Sequence, residues 1–261
     1  MAELLKKIEQ YWSTRTEGYS EVNEKELAGI QKQAWLSVLE ERFPKKEKDE
    51  LKILDIGTGP GFFPVILTQA GYQVTAVDYT QGMLEKAREN IKMNGKKCGK
   101  NLEEKVSFLR MDAQNLTFVD NSFDVVVSRN LTWNLEKPDR AYREWCRVLK
   151  SGGVLLNFDA NWYGYLYDEE KKRAYEQDRK NVESNHLDDH YLCTDIDTME
   201  QIALQVPLSA IGRPQWDIQI LKEQGMKHII TDTGIWKKVW SEEEKLNYGS
   251  TPMFMIYGIK E

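Results

Sequence analysis

From Lys52 to Ala160 short apolar runs alternate with segments of helical period, and this rhythm restricts the fold more than any other property of the chain. "KILDIG" reads as a strand buried on both faces, and "FFPVILTQAG" as a helix with Pro64 in its first turn and Gly71 as its stop. "YQVTAVD" is a second strand. The helix after it, "TQGMLEKARENIKMNG", has Thr80 as its cap and Met83, Leu84, Ala87 and Ile91 on one face. "KVSFLRMD" and "FDVVVSRN" are further strands, "KPDRAYREWCRVLKSGG" is a helix opened by Pro138 and closed by Gly152, and "VLLNFDA" is a fifth strand. Strand–helix–strand units cross over right-handedly, so the expected fold is α/β, a doubly wound and mostly parallel sheet with helices on both faces. Ligands of such sheets bind beyond the carboxyl ends of the strands, where strand order reverses.

The flanks follow other patterns. Leu4, Leu5, Ile8, Tyr11 and Trp12 recur at helical spacing, as do Leu27, Ile30, Ala34, Trp35, Val38 and Leu39, so two helices are expected before the charged connector Pro44 to Glu50. After Ala160 the rhythm breaks. Residues 161–212 are polar and rich in Tyr, with helical candidates at Glu169 to Asn181 and Met199 to Val206. "RPQWDIQILKEQG" is then a helix, and "MKHIITDTGIWKKVW" and "TPMFMIYGIK" are two strands that pair as an antiparallel end to the sheet. The expected organisation is N-terminal helices over the ligand site at 1–50, a sheet core at 51–160 and 213–261, and a helical lid inserted at 161–212.

Composition excludes several classes. The net charge of −6 over 261 residues disfavours a protein that coats nucleic acid, whose sequence-independent affinity comes from Lys and Arg. Cys98, Cys146 and Cys193 are too few and too far apart for a disulfide framework and read as reduced thiols of a cytoplasmic protein. The first residues lack a signal-peptide core, and no apolar run approaches the ~20 residues needed to span a bilayer, so a soluble monomer or homodimer without a membrane partner is expected. Eight Trp and twelve Tyr must serve a core or a pocket.

"ILDIGTGPGFF" sets glycines at 57, 59 and 61 directly after the first strand. Glycine admits φ > 0 and lets a ligand approach the main chain. A dinucleotide fingerprint would need its third glycine at Phe62, and Pro60 removes a donor from the turn that would hold pyrophosphate, so a nicotinamide or flavin dinucleotide is disfavoured. The pattern present is D-x-G-x-G-x-G, Asp55 to Gly61, with Asp78 ending the second strand and Asp112 following the third.

In these motifs and their order, with "FDVVVSRN" and "RVLKSGGVLL" after them, the chain resembles the class I S-adenosylmethionine-dependent methyltransferases, and among them the small-molecule enzymes of the UbiE-like, methyltransferase-11 group. The likeness is strong from Leu51 to about Ala160 and weaker from Arg213 to Lys260. It implies a Rossmann-like, seven-stranded sheet and S-adenosyl-L-methionine as cofactor. Asp78 would accept the ribose hydroxyls, while Gly57, Thr58, Gly59 and Gly61 would underlie the amino-acid portion and Asp55 would lend polarity toward its ammonium. Tyr79 and Met83 would flank the adenine, with Asp112 and Ala113 at its edge and Arg129 at the end of the fourth strand. "IEQYWSTRTEGYSE" resembles the Y-W-x-x-R-x-x-x-Y element that folds over the cofactor, which assigns Tyr11, Arg15 and Tyr19 to it.

The sulfonium is already an activated electrophile, so the protein must mainly align a nucleophile with the methyl group and exclude water. A small-molecule acceptor methylated by in-line transfer is the expected reaction; a protein or tRNA acceptor and a non-catalytic cofactor-binding protein are the alternatives. "SRNLTWNL" lacks the N/D-P-P-Y/F element of enzymes that methylate nucleobase amines or a glutamine amide. Asn130, Trp133, Trp162 and Tyr163 are the candidate acceptor contacts. In "HLDDHYLC", His186 and His190 would share a face if helical, with Cys193 beyond, a spacing that suits a metal ion or a base with its orienter. With no glutamate partner motif no metal is assigned, and His186, His190 and Tyr163 are the catalytic candidates.

Overall fold

The structure, a computed structural model, describes residues 2–191 and 194–261. Two helices, α1 (Ala2–Ala28) and α2 (Gln31–Glu40), precede β1 (Lys52–Ile56), α3 (Phe62–Ala70), β2 (Gln73–Asp78), α4 (Gln81–Cys98) and β3 (Val106–Arg110). Then come β4 (Phe123–Arg129), α5 (Pro138–Val148) and β5 (Leu149–Asp159), followed by α6 (Glu169–Ser184) and α7 (Ile196–Ala203). The chain ends with α8 (Gln215–Glu223), β6 (Met226–Asp232), two short helices, α9 (Trp236–Val239) and α10 (Glu242–Asn247), and β7 (Phe254–Lys260).

The strands form one sheet in the order β3-β2-β1-β4-β5-β7-β6. β1 to β5 pair in parallel, and β7 enters antiparallel between β5 and β6, as the alternation and the two closing strands predict. Strand order reverses between β1 and β4, so the crevice opens above their carboxyl ends. Successive side chains of β1 enter opposite cores: Ile53 packs with Trp35, Phe62 and Phe63 on one face, Leu54 with Tyr142 and Trp145 on the other. Helices on both faces bury every residue of β1 but Lys52, which is why the run is uninterruptedly apolar.

Several boundaries depart from the sequence pattern. α5 ends at Val148 rather than at Gly152, because Leu149 begins β5, and Gly152 and Gly153 lie where its pairing with β4 shifts register. A Cβ on Gly153 would come within 2.8 Å of the Lys150 carbonyl oxygen. The stretch read as one strand from Met226 to Trp240 stops at Asp232, whose carboxylate accepts the Gly234 N–H at 2.8 Å and turns the chain into α9. Thr80 stands at the α4 N-cap without a side-chain cap bond, and its N–H donates to the Asp78 carboxylate. Ile30, placed by its spacing on a buried face, is exposed at the break between α1 and α2. α2 is part of the main core rather than a cover: Trp35 is fully buried, edge-on to Phe62, Phe63 and Phe158. Among the described residues no helix is long and apolar enough to cross a membrane.

Candidate functional site

At the switch point the loop from β1 to α3 is stitched to the end of β2 by its own backbone. Gly57 N and Thr58 N donate to the Val77 carbonyl at 2.9 and 3.0 Å. Gly59 N donates to Asp78 Oδ2 at 2.9 Å, and Thr80 N to Asp78 Oδ1 at 2.8 Å. Gly57 takes φ +69°, and a Cβ there would lie 2.7 Å from the Leu131 side chain. The bare main chain is therefore a steric requirement of the loop. Burial raises the Asp78 carboxyl above the usual carboxylate range, against the pull of the Thr80 and Gly59 N–H groups. Beneath the loop Asp55 is buried with Oδ2 unpartnered, and burial lifts its pKa to about 7 despite the nearby Thr58 hydroxyl and Arg129.

This loop floors a cleft of about 800 Å³. Asp78, Tyr79 and Met83 line one side, Asp112, Ala113 and Gln114 a second, and Arg129 and Asn130 the end of β4. Leu5, Ile8, Glu9, Trp12 and Tyr19 of α1 form the roof. The roof is fixed by buried polar contacts. Arg129 forks onto Glu26 at 2.7 and 3.0 Å while its guanidinium lies 4.3 Å from the Phe62 ring centre. Asn90 Nδ2 donates both to Ser20 Oγ of α1 and to the Pro60 carbonyl of the glycine loop, at 3.0 and 2.9 Å.

A second cavity of about 660 Å³ adjoins the first and shares Trp12, Tyr19 and Asn130 with it. Its wall is aromatic: Tyr11 from α1, Trp133 after β4, Trp162 and Tyr163 after β5, Tyr191 from the insertion and Tyr248 before β7. Trp133 and Tyr163 lie 5.1 Å apart, Trp162 and Tyr248 5.2 Å apart. Asn130 adopts φ +55°, a left-handed conformation that asparagine tolerates better than most side chains, and Trp133 Nε1 holds its carbonyl at 3.0 Å. The turn carrying Trp133 is anchored from beneath by Asp159, which accepts the Thr132 hydroxyl and, at 2.9 Å, the Trp133 N–H. Arg213, fully buried, pairs with Asp159 at 2.8 Å and with Asp217 at 2.6 Å, so this carboxylate is neutralised within the core.

The sequence candidates divide between the two spaces. Gly57, Gly59, Asp78, Tyr79, Met83, Asp112, Ala113 and Arg129 line the cleft; Tyr19 and Asn130 touch both; Trp133, Trp162, Tyr163 and His190 line the second cavity. Tyr11 and Arg15, assigned to the cofactor by resemblance, line the second cavity, because α1 runs across both and turns these residues toward the far end. Thr58, Gly61 and Asp55 line neither. Gly61 instead admits α4, since its Cβ would stand 3.0 Å from that of Ala87.

His186 must be withdrawn as a catalytic candidate. α6 ends at Ser184, His186 is exposed at φ +54°, and it shares no helix face with His190. Tyr163 does not suit a base, because burial pushes its hydroxyl well above the ordinary phenol range and keeps it protonated. Cys193 lies outside the described residues, among which no group of three or more His, Cys, Asp or Glu side chains could hold a metal ion. Sequence reasoning missed the pocket roles of Trp12, Gln114, Tyr191 and Tyr248. Trp12 was visible on the apolar stripe of α1, whereas nothing local marks Tyr248.

Residues 54–157 match the family model described as a methyltransferase domain. Over 107 residues the chain is 36% identical to the demethylmenaquinone methyltransferase of Bacteroides fragilis, a stretch covering 40% of this chain and 41% of that relative. Over 125 residues it is 34% identical to the phosphatidylethanolamine N-methyltransferase of Cereibacter sphaeroides, covering 47% of this chain and 58% of the relative. These matches span only about half, or less, of the relatives' own length. Among solved structures it is similar to phosphoethanolamine N-methyltransferase 2 of Haemonchus contortus in complex with phosphomonomethylethanolamine and S-adenosylhomocysteine, with a TM-score of 0.58, 19% identity, and coverage of 87% of this chain and 52% of that one. Sheet order, loop and family match agree: residues 54–157 form a methyltransferase domain.

Proposed function

We propose that the protein transfers a methyl group from S-adenosylmethionine to a small-molecule acceptor by direct in-line displacement. The observation that carries this reading is the junction of the two cavities at Trp12, Tyr19 and Asn130, which lets a nucleoside in one reach a nucleophile in the other. The cleft fits the cofactor. Gly57 and Gly59 offer main chain without Cβ atoms, and Asp55 beneath the loop, with Oδ2 unpartnered, would favour a positive charge above it without touching it. With two lone pairs on N–H donors, Asp78 still has acceptor capacity for the ribose hydroxyls. Asp112 and Gln114 would meet the adenine edge, and Tyr79 and Met83 its faces. When bound, the cofactor supplies a sulfonium-activated methyl group.

The protein's own contribution is alignment and dryness. Asn130 and Trp133 fix the near wall of the acceptor space through the Asp159 anchor, and the aromatic wall excludes water around it. Its rings suit an apolar or cationic small molecule, and the Arg129–Glu26 clamp keeps the roof over both ligands. Calorimetry with S-adenosylhomocysteine tests the reading. The wild type is expected to bind it, and Asp78→Ala to bind at least ~100-fold more weakly, from the loss of hydrogen bonds worth ~1.5–3 kcal/mol each, with a cooperative unfolding transition retained at a lower temperature because the Gly59 and Thr80 N–H groups lose their acceptor. Unchanged affinity in that variant, or a wild type that binds NAD or ATP instead, would overturn it.

A further inference from the structure

Methylation of a hydroxyl or amine releases a proton, and one arrangement beside the second cavity is built to receive it. His190 Nδ1 lies 2.9 Å from the Tyr248 hydroxyl and His190 Nε2 lies 3.0 Å from Glu243 Oε1. Both His190 and Tyr248 line the cavity. A carboxylate can only accept, so Nε2 carries the proton donated to Glu243, and Nδ1 is left to accept from the phenol. The groups come from two segments and are held in place: Glu243 lies on α10, Tyr248 caps the end of that helix, and His190 comes from the residues after α6. The His190 N–H donates to Asn247 Oδ1 at 3.0 Å, and α10, which carries Glu243 and Asn247, is closed by a reciprocal Ser241–Glu244 capping box. Around the couple stand Glu244, Tyr19, Tyr191 and Arg179, the last paired with Asp189.

Building on the methyl-transfer reading, we propose that Tyr248 and His190 form a proton relay, positioned by Glu243, that deprotonates an acceptor O–H or N–H as the methyl group is transferred. The acceptor atom's lone pair forms the bond to the methyl carbon, and the carbon–sulfur bond breaks with its electron pair remaining on sulfur, which becomes a neutral thioether. The acceptor's proton passes to the Tyr248 oxygen while that hydroxyl gives its own proton to His190 Nδ1. The resulting imidazolium sits against Glu243 and later returns the proton to solvent. Tyr248 conducts and does not store the charge, since burial holds its hydroxyl well above the ordinary phenol range. The acceptor class follows: a small molecule whose nucleophile is a hydroxyl or amine, presented within an aromatic enclosure.

The test uses the full-length protein, methyl-labelled S-adenosylmethionine and a cell metabolite extract as the acceptor pool, with Tyr248→Phe, His190→Gln and Glu243→Gln. Tyr248→Phe and His190→Gln are expected to lower the labelling rate ~10²- to 10⁴-fold with S-adenosylhomocysteine affinity and thermal unfolding unchanged. The wild-type rate is expected to fall toward acid pH, where the imidazole already holds the proton, a limb that His190→Gln abolishes and that Glu243→Gln, by removing the charge that favours the imidazolium, displaces toward lower pH. Wild-type rate and pH limb in Tyr248→Phe or His190→Gln overturn the relay alone. A wild type that neither binds S-adenosylhomocysteine nor labels the extract overturns the relay together with the reading beneath it.

Discussion

The cleft and the second cavity share three residues and little else in their construction. The floor of the cleft is made of main chain and strand ends: Gly57 and Gly59 of the loop after β1, the carboxylate of Asp78 at the end of β2, and Asp112 just past β3. Each lies within a few residues of a strand terminus, so the sheet alone positions it. The second cavity is made of rings delivered by α1, the turns after β4 and β5, the insertion and the segment before β7. No single element positions it, and its shape depends on how those segments pack. The contrast teaches that a general ligand is held by the strand ends of such a sheet, and that a particular acceptor is met by whatever the connections bring over the top.

If both spaces depend on one body, breaking the contact that joins α1 to the sheet should damage both. In Arg129→Met, Glu26 would remain as a carboxylate whose side chain is only 5% exposed, without the guanidinium that faces it at 2.7 Å. Leaving one partner of a buried pair uncompensated costs ~3–5 kcal/mol. The expected result is a melting temperature lower by roughly 10 °C and a loss of affinity for cofactor and acceptor alike. Partial recovery in the double variant with Glu26→Gln would identify the stranded charge as the cause. An undisturbed melting temperature would show α1 to be an independent cover, and the two-part comparison would fail.

The same contrast governs what the residues alone reveal. Asp55, Gly57, Gly59, Asp78 and Asp112 were legible because each is a local necessity: a strand end, a positive φ, a carboxylate beside a backbone turn. The doubly wound, mostly parallel sheet followed from alternation and handedness. Tyr248 and Glu243 were not legible, since their meeting with His190 spans more than fifty residues of chain and depends on α10, a helix too short to give a periodic signal. The reading of His186 and His190 as one helix face failed for a similar reason: Asp188 and Asp189 interrupt no hydrophobic pattern, and the end of α6 carries no glycine stop to announce it. Tyr11 and Arg15 lie on the expected helix and line the second cavity rather than the cleft, because spacing along α1 fixes a face and not which end of a cleft that face covers.

Asp55 tests the cleft by itself. Its carboxyl is raised from 3.8 to about 7, chiefly by burial. The native state therefore keeps a proton that the unfolded chain releases, and stability falls as pH rises from about 4 to about 7, by up to ~1.4 kcal/mol per pH unit. Urea midpoints measured at pH 5 and pH 7 should show that decline in the wild type and a flatter response in Asp55→Asn. Saturating S-adenosylhomocysteine should flatten the wild-type response too, if its ammonium above the loop favours the ionised carboxyl beneath it. A wild-type midpoint indifferent to pH would mean that the carboxyl is solvated or already paired.

The smallest expected effect separates the two spaces most sharply. Trp133 contributes a ring 5.1 Å from Tyr163 and an N–H to the Asn130 carbonyl at 3.0 Å, and it lines the second cavity without touching the cleft. Trp133→Leu removes both contacts and leaves a smaller apolar side chain, a loss of ~1–1.5 kcal/mol of ring and hydrogen-bond interaction at the acceptor wall. The acceptor KM should rise about tenfold, with S-adenosylhomocysteine affinity changed less than twofold. Because Asn130 belongs to both walls, the cofactor measurement is the discriminating one. If its affinity falls in step with the acceptor's, then the Asn130 turn transmits strain from one space to the other, and the cavities behave as a single site whose two ends were distinguished only by the elements that build them.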